Sequence, residues 1–475
     1  MTGLDSLSCG GISGYDYSHS MQAAQYFQRP PQARAVGLTK TRAISATGLR
    51  LFVLGATCVV AVACTSVSPT QPDERAPQPP PATETLPPAT TTEAPRDEPG
   101  PVIATPSGEA APPAGEAAPP QPNAPKVTTP PPARELRISA VGDIMLGGSA
   151  APELAKLGYD YPFAEVRRVF QESHVVFGNL EGPLTDAGLP EPDKRYVFRS
   201  PPERVAPALA AVGFNVVALA NNHTMDYGVE GLRQTMAALQ SAGIQFVGAG
   251  ENLRKARDPV IIKAGGHSVA FLAYSLTFPE NFWARNDRAG TAFGHREHIR
   301  ADVTAARERA DVVIVSFHWG REITTALRAY QPQLARTAID AGASVVLGHH
   351  PHILQAIELY KRGIILYSLG NFAFGSYSRN AVRSMIAQLK IQNARLIEVK
   401  LVPINVNNIE VVFQPRLLYA DDANEVIEGL RRLSEPLGTI ITNHKGVGLV
   451  VLKENKGQRW LSKKNDARDI HNILP

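Results

Sequence analysis

The chain has 475 residues, with 48 lysines and arginines against 44 acids and three cysteines, all of them before residue 65. A net charge of +4 announces no strongly basic face for nucleic acid, and the cysteine placement excludes an intrachain disulfide or a thiolate metal site after Cys64. Any metal held beyond that point must use histidine, carboxylate and amide ligands.

Residues 1–64 read as a lead followed by a targeting segment. The stretch 49–63 is apolar and follows Arg42 and Arg50, the order of the charged and apolar regions of a secretory signal. Its end, Ala61-Val62-Ala63-Cys64, is similar to a bacterial lipobox, with Ala at the position where Leu is usual; lipidation would fall on Cys64. An uncleaved N-terminal anchor is the competing reading, because extension to about 18 residues reaches the lower end of a bilayer span. Either way the rest of the chain is expected on the extracytoplasmic face of the cell membrane. Met21 is an alternative start.

Residues 65–133 hold no Phe, Tyr or Trp, and 21 of the 39 prolines lie between Pro69 and Pro132. Such a segment buries too little apolar surface to offset its ordering entropy, so a disordered, extended spacer is expected.

From Leu136 the texture changes. Apolar runs at 136–141, 175–178, 214–219, 269–274, 312–317, 345–348 and 364–368 read as buried strands. Between them, 163–171, 203–212, 231–242, 299–310 and 330–341 show helical spacing. The alternation predicts an α/β domain over 134–452. Further strands at 385–391, 396–402 and 410–413 extend a sheet in antiparallel fashion, and 453–475 form a polar tail.

Polar residues fall where these strands end. Asp143, Asn179 with Glu181, Asn221-Asn222-His223, His318, and His349-His350-Pro351-His352 each follow a separate apolar run. Ligand sites in open α/β sheets gather at strand carboxyl ends, so the five groups are expected to meet in one crevice. Five of the twelve histidines lie there, and His350-Pro351-His352 aims two imidazoles at one centre. Arg195, Arg199, Arg321 and Arg328 stand near these motifs, at positions where arginine also commonly serves a solvated surface. Neither a Gly-x-Ser-x-Gly elbow nor a Walker sequence occurs, which argues against serine hydrolase and nucleotide-driven ligase chemistry.

In order, Gly142-Asp143-Ile144-Met145, Asn179-Leu180-Glu181, Asn222-His223 with Asp226 and Gly228, His318-Trp319-Gly320 with Glu322, Gly348-His349-His350-Pro351-His352 and Gly370-Asn371-Phe372 resemble the CapA family of poly-γ-glutamate capsule proteins over residues 136 to 375. That family is similar to calcineurin-like metallophosphoesterases, which implies a four-layer α-β-β-α sandwich. The resemblance implies Asp143, Glu181, Asn222, His318, His350 and His352 as ligands of one or two divalent ions, Mn, Fe or Zn. It implies His223 as the catalytic imidazole, with Asp226 orienting it. Asn179, Asn221, Glu322, His349 and Asn371 follow as supporting or binding residues. Met145 stands where the wider superfamily has a ligand histidine, and Glu181 where it has a bridging aspartate; His349 could replace the missing ligand, or the site could hold one ion. Two functions are implied: a membrane-anchored component of capsule synthesis or export that handles an anionic polymer such as polyglutamate, alone or with capsule-synthesis membrane proteins, or a metal-dependent hydrolase of a phosphoester or amide-linked envelope polymer.

Overall fold

A computed structural model of the chain describes residues 134–192 and 194–452. The lead with Cys64, the proline-rich spacer and the polar tail lie outside the described residues. Among the described residues no helix is long and apolar enough to cross a membrane.

The strands run in chain order as β1 (Glu135–Met145), β2 (Val175–Leu180), β3 (Phe214–Ala218), β4 (Gln245–Val247), β5 (Ala249–Gly250), β6 (Val260–Ala264), β7 (His267–Ser275), β8 (Gly290–Thr291) and β9 (Val312–His318). They continue as β10 (Val345–His349), β11 (Ile357–Tyr360), β12 (Gly363–Leu366), β13 (Asn371–Phe374), β14 (Arg383–Gln392), β15 (Arg395–Asn405), β16 (Arg416–Leu417), β17 (Ile441–His444) and β18 (Val447–Val450). One sheet has the order β17-β18-β15-β14-β1-β2-β3-β4, with β13 beside β1 and β16 beside β15; the other runs β11-β12-β10-β9-β7-β6. A short ribbon pairs β5 with β8. Parallel pairing links β1, β2, β3 and β4 in the first sheet and β7, β9, β10 and β12 in the second.

Side chains alternate across a strand, and here both faces are covered, so the strands read as unbroken apolar runs. In β2, Val175 and Phe177 enter the layer between the sheets while Val176 and Leu180 meet the helices Pro202–Val212 and Gly228–Ser241. In β9, Val312 and Ile314 enter the same layer while Val313, Val315 and Phe317 meet the helices Arg296–Arg309 and Tyr330–Asp340. Three apolar layers thus separate helix, sheet, sheet and helix. This is the expected four-layer α-β-β-α sandwich.

Two expected elements differ. Residues 410–413 are not a strand: Asn407 caps a short helix, Asn408–Val411, by accepting from the Ile409 amide, and Val412 and Phe413 end it in left-handed conformation (φ 50° and 61°). The expected helix at 163–171 is broken into a tight turn, Tyr161–Phe163, and one helical turn, Arg167–Phe170; the break at Val166 seats Phe163, Val166, Val169 and Phe170 together in one apolar layer. A further helix, Ala420–Ser434, closes the layer between the sheets with Val426, Ile427 and Leu430.

Candidate metal centre

The alternation that fills the inter-sheet layer also builds the site. Continued past the apolar residues, it puts Asn179 and Glu181 after Phe177, His318 after Ile314 and Ser316, and His349 after Leu347, all on the inward face where the layer opens. Asp143 breaks this parity. Leu136, Ile138 and Ala140 point inward, so strict alternation would send Asp143 out to the helices. The register between β1 and β2 shifts by one residue between Ala140 and Asp143, and this bulge turns Asp143 inward, opposite Asn179.

Asp143, Asn179 and Glu181 are fully buried. Asn179 donates from Nδ2 to Asp143 Oδ1 (2.8 Å) and to Glu181 Oε2 (3.2 Å), holding two carboxylates apart. His352 Nδ1 lies 3.2 Å from Asp143 Oδ2, and its Nε2 lies 3.8 Å from Glu181 Oε1. His318 Nε2 lies 3.7 Å from that same oxygen and 2.7 Å from Asn222 Oδ1. The His318 and His350 rings are 4.7 Å apart. His350 and His352 follow the end of β10 with φ of 91° and 60°, left-handed values that non-glycine residues seldom adopt and that cluster at functional sites. This backbone turns the rings back toward the carboxylates.

Two triplets of side chains lie close enough to hold a metal ion, Glu181 with His350 and His352, and Asp143 with Glu181 and His318; Glu181 belongs to both. The charge balance fits a cation. Burial opposes ionisation of Asp143, but His349 and His352 outweigh it and hold the carboxyl well below its usual range. Burial and the Asp143 charge hold Glu181 well above its own. Burial would strip the proton from His352, yet Glu181 and Asp143 push it up to about 10, whereas burial and His352 bring His350 down to about 3. A divalent ion would supply the positive charge that these two buried carboxyl groups call for. Glu181 Oε1 and His350 Nδ1 are buried without a hydrogen-bond partner, the state of donor atoms that await a ligand.

The supporting residues separate into three cases. Asn221 donates to Asn179 Oδ1 (3.1 Å), and Asn371 Oδ1 lies 2.9 Å from His352 Nδ1, which leaves Nε2 as that ring's donor atom. His349 is fully buried, with Nδ1 3.3 Å from Asp143 Oδ1 and neither ring nitrogen hydrogen-bonded; it flanks the centre but joins neither triplet. Glu322 is exposed and acts on Glu181 and His352 through its charge alone. Met145 is buried, packed beside Gly148 and Gly182, and joins neither triplet.

Next to the triplets, His223 Nδ1 lies 2.7 Å from Asp226 Oδ2, so the carboxylate fixes the ring and leaves Nε2 as the working atom. Asp226 also accepts from the Phe198 amide (2.8 Å) and pairs with Lys194 Nζ. Lys194 donates as well to the Asn222 carbonyl and lies 3.1 Å from His223 Nδ1. Burial draws Lys194 down from its ordinary value while Asp226 resists, and burial likewise lowers His223 against the pull of Asp226. Lys194 was not anticipated; no spacing in the sequence ties it to Asp226. Arg195 and Arg199 stack over Tyr196 and Tyr227 respectively.

Glycine makes the first part of this geometry possible. A Cβ on Gly142 would lie 1.8 Å from Gly370 O, the oxygen that accepts the Asp143 amide at 3.0 Å and sets Asn371 opposite Asp143. Gly142→Ala should therefore part β1 from β13, destabilising the fold by about 3 kcal/mol. Denaturant melts check this, and a variant within about 0.5 kcal/mol of wild type would contradict it.

Comparison with known proteins follows the same stretch. Residues 137–376 match the sequence model of a family described as bacterial capsule synthesis protein PGA_cap. The capsule biosynthesis protein CapA of Bacillus anthracis is 33% identical over 282 residues, which span 57% of this chain and 68% of that protein. The PGA biosynthesis protein CapA of Bacillus subtilis is 36% identical over 241 residues, 50% of this chain and 63% of that one. A probable polyglutamine synthesis accessory protein of Mycobacterium tuberculosis is 32% identical over 274 residues, 53% and 71% of the two chains. Among solved structures, a calcineurin-like phosphoesterase from Bacillus subtilis aligns at 15% identity with a TM-score of 0.33, covering 55% of this chain and 86% of that one.

Proposed function

The chain belongs to the PGA_cap family of bacterial capsule synthesis proteins, and we propose that it serves capsule synthesis or export through a metal-dependent, hydrolase-like site that takes an amide-linked polyanion such as polyglutamate. The observation that carries the reading is the pair of buried carboxylates, Asp143 and Glu181, ringed by His318, His350 and His352 and set beside the His223–Asp226 dyad. The choice of polymer is supported by the names of two relatives, a PGA biosynthesis protein and a probable polyglutamine synthesis accessory protein. An extracytoplasmic location, by lipidation at Cys64 or by an uncleaved anchor, is part of the proposal and is supported by the N-terminal sequence pattern.

Asp143, Glu181, Asn222, His318, His350 and His352 would hold the ion, and a donor set without thiolate suits Mn, Fe or Zn. When bound, a divalent ion supplies Lewis-acid activation of water and of the scissile group. His223 Nε2 would take a proton from the attacking water and pass it to the departing nitrogen or oxygen. Asp226 keeps the ring in the tautomer and orientation for that transfer, and Lys194 balances the Asp226 charge. The Asn371 contact at 2.9 Å orients the His352 ring before substrate arrives.

The test is the metal content of the purified chain, followed by assays on poly-γ-glutamate, a phosphodiester and a phosphomonoester with and without manganese. At least about one ion per chain and metal-dependent shortening of the polymer are expected. Turnover of the phosphoesters alone would move the substrate to another envelope polymer. Bound metal with no turnover of any of the three overturns the hydrolytic part.

A further inference from the structure

The strands that end at the metal centre begin at the opposite edge of the same layer. A cavity of about 830 Å³ opens there, within the roughly 300–1,000 Å³ range of small-molecule sites. Its walls are Ser344 before β10, the Lys361-Arg362 turn between β11 and β12, and the Asn393-Ala394 turn between β14 and β15. Ile339, Leu359 and Leu396 give it an apolar side.

Charge in this wall is one-sided: Arg307, Lys361, Arg362 and Arg395 face a single carboxylate, Asp340. Asp340 is already paired with Lys361, and Arg307 donates to the Ala310 and Asp311 carbonyls. The side chains of Arg362 and Arg395 make no hydrogen bond or ion pair with the described residues. The two residues come from different turns and line the same cavity.

The turns are held firmly. Lys361, Asn393 and Ala394 have φ of 53°, 49° and 61°, and Ala394 occupies a left-handed turn position that favours glycine. The Ala394 amide donates to Nε2 of the fully buried His267 at 3.0 Å, and His267 Nδ1 lies 2.9 Å from the Gly265 carbonyl. A histidine of the second sheet thus pins a hairpin of the first, fixing the Arg395 side of the rim.

The geometry points to this cavity as a binding site for a multivalent oxyanion, gripped by Arg362 and Arg395, whose planar forks match carboxylate and phosphate oxygens alike. It is separate from the metal centre and does not depend on the function proposed for that centre.

Calorimetric titration of the full chain with inorganic phosphate and, separately, with the tricarboxylate tricarballylate tests it. Saturable one-to-one binding tighter than about 1 mM is expected for at least one anion, and the tighter of the two identifies the preferred oxyanion. An Arg362→Ala/Arg395→Ala variant should bind at least about tenfold more weakly with an unchanged melting temperature in the absence of anion, since both residues lie on exposed turns. Absence of saturable binding of both anions, or wild-type affinity in the arginine variant, would each overturn the assignment.

Discussion

Replacing His350 and His352 together by alanine should reduce the metal content of the purified chain from about one or more ions to below about 0.1. One triplet loses two of its three donors, and the other, Asp143 with Glu181 and His318, loses the His352 ring that lies 3.2 Å from Asp143. Outer partners of metal ligands are commonly worth about 10- to 100-fold in affinity, and removal of the ligands themselves exceeds that. The same change also removes the ring beside the fully buried Asp143 and should destabilise the fold. A chelator should lower the melting temperature of the wild type and leave that of the variant where it is. Wild-type metal content in the variant would refute the ligand set.

His223→Ala should act on turnover and leave metal content untouched. Loss of a positioned general acid costs about 10²- to 10⁴-fold in rate. His223 meets the centre through Asn221 and Asn222 rather than as a member of either triplet, so its removal spares the donors. Asp226→Asn should fall in the same direction by less, because the ring remains but its tautomer is no longer imposed. Comparing rate and metal content in the same preparations separates the two roles. A His223 variant that turns over at the wild-type rate would remove the imidazole from the chemistry.

Much of this centre was legible before any coordinates. Glu181, His318 and His349 continue the period-two pattern of the apolar residues before them, so type and position agree at each strand end. Asp143 was legible only through its motif, since the β1 bulge reverses the parity that Leu136, Ile138 and Ala140 establish. The inward turn of His350 depends on a left-handed backbone that residue type does not forecast. Lys194 was invisible because its link to Asp226 spans 32 positions across loops with no periodicity. Residues 410–413 misled because Val411, Val412 and Phe413 have strand-forming character, while the Asn407 cap and two left-handed residues decide their structure. The helix Ala420–Ser434 has its buried Ala423, Val426, Ile427 and Leu430 at helical spacing, a pattern present in the sequence but not drawn on.

Glu181 serves both triplets, and its unbonded Oε1 stands between His318 and His352 at nearly equal distances. One carboxylate cannot give its full charge twice. Two ions would therefore load in unequal steps, the first tightly and the second against the repulsion of its neighbour, with Glu181 as the shared electrostatic resource that makes occupancy of one position report on the other. A titration curve with two separated plateaus is the signature of that arrangement, and substitution at Glu181 would weaken both steps together.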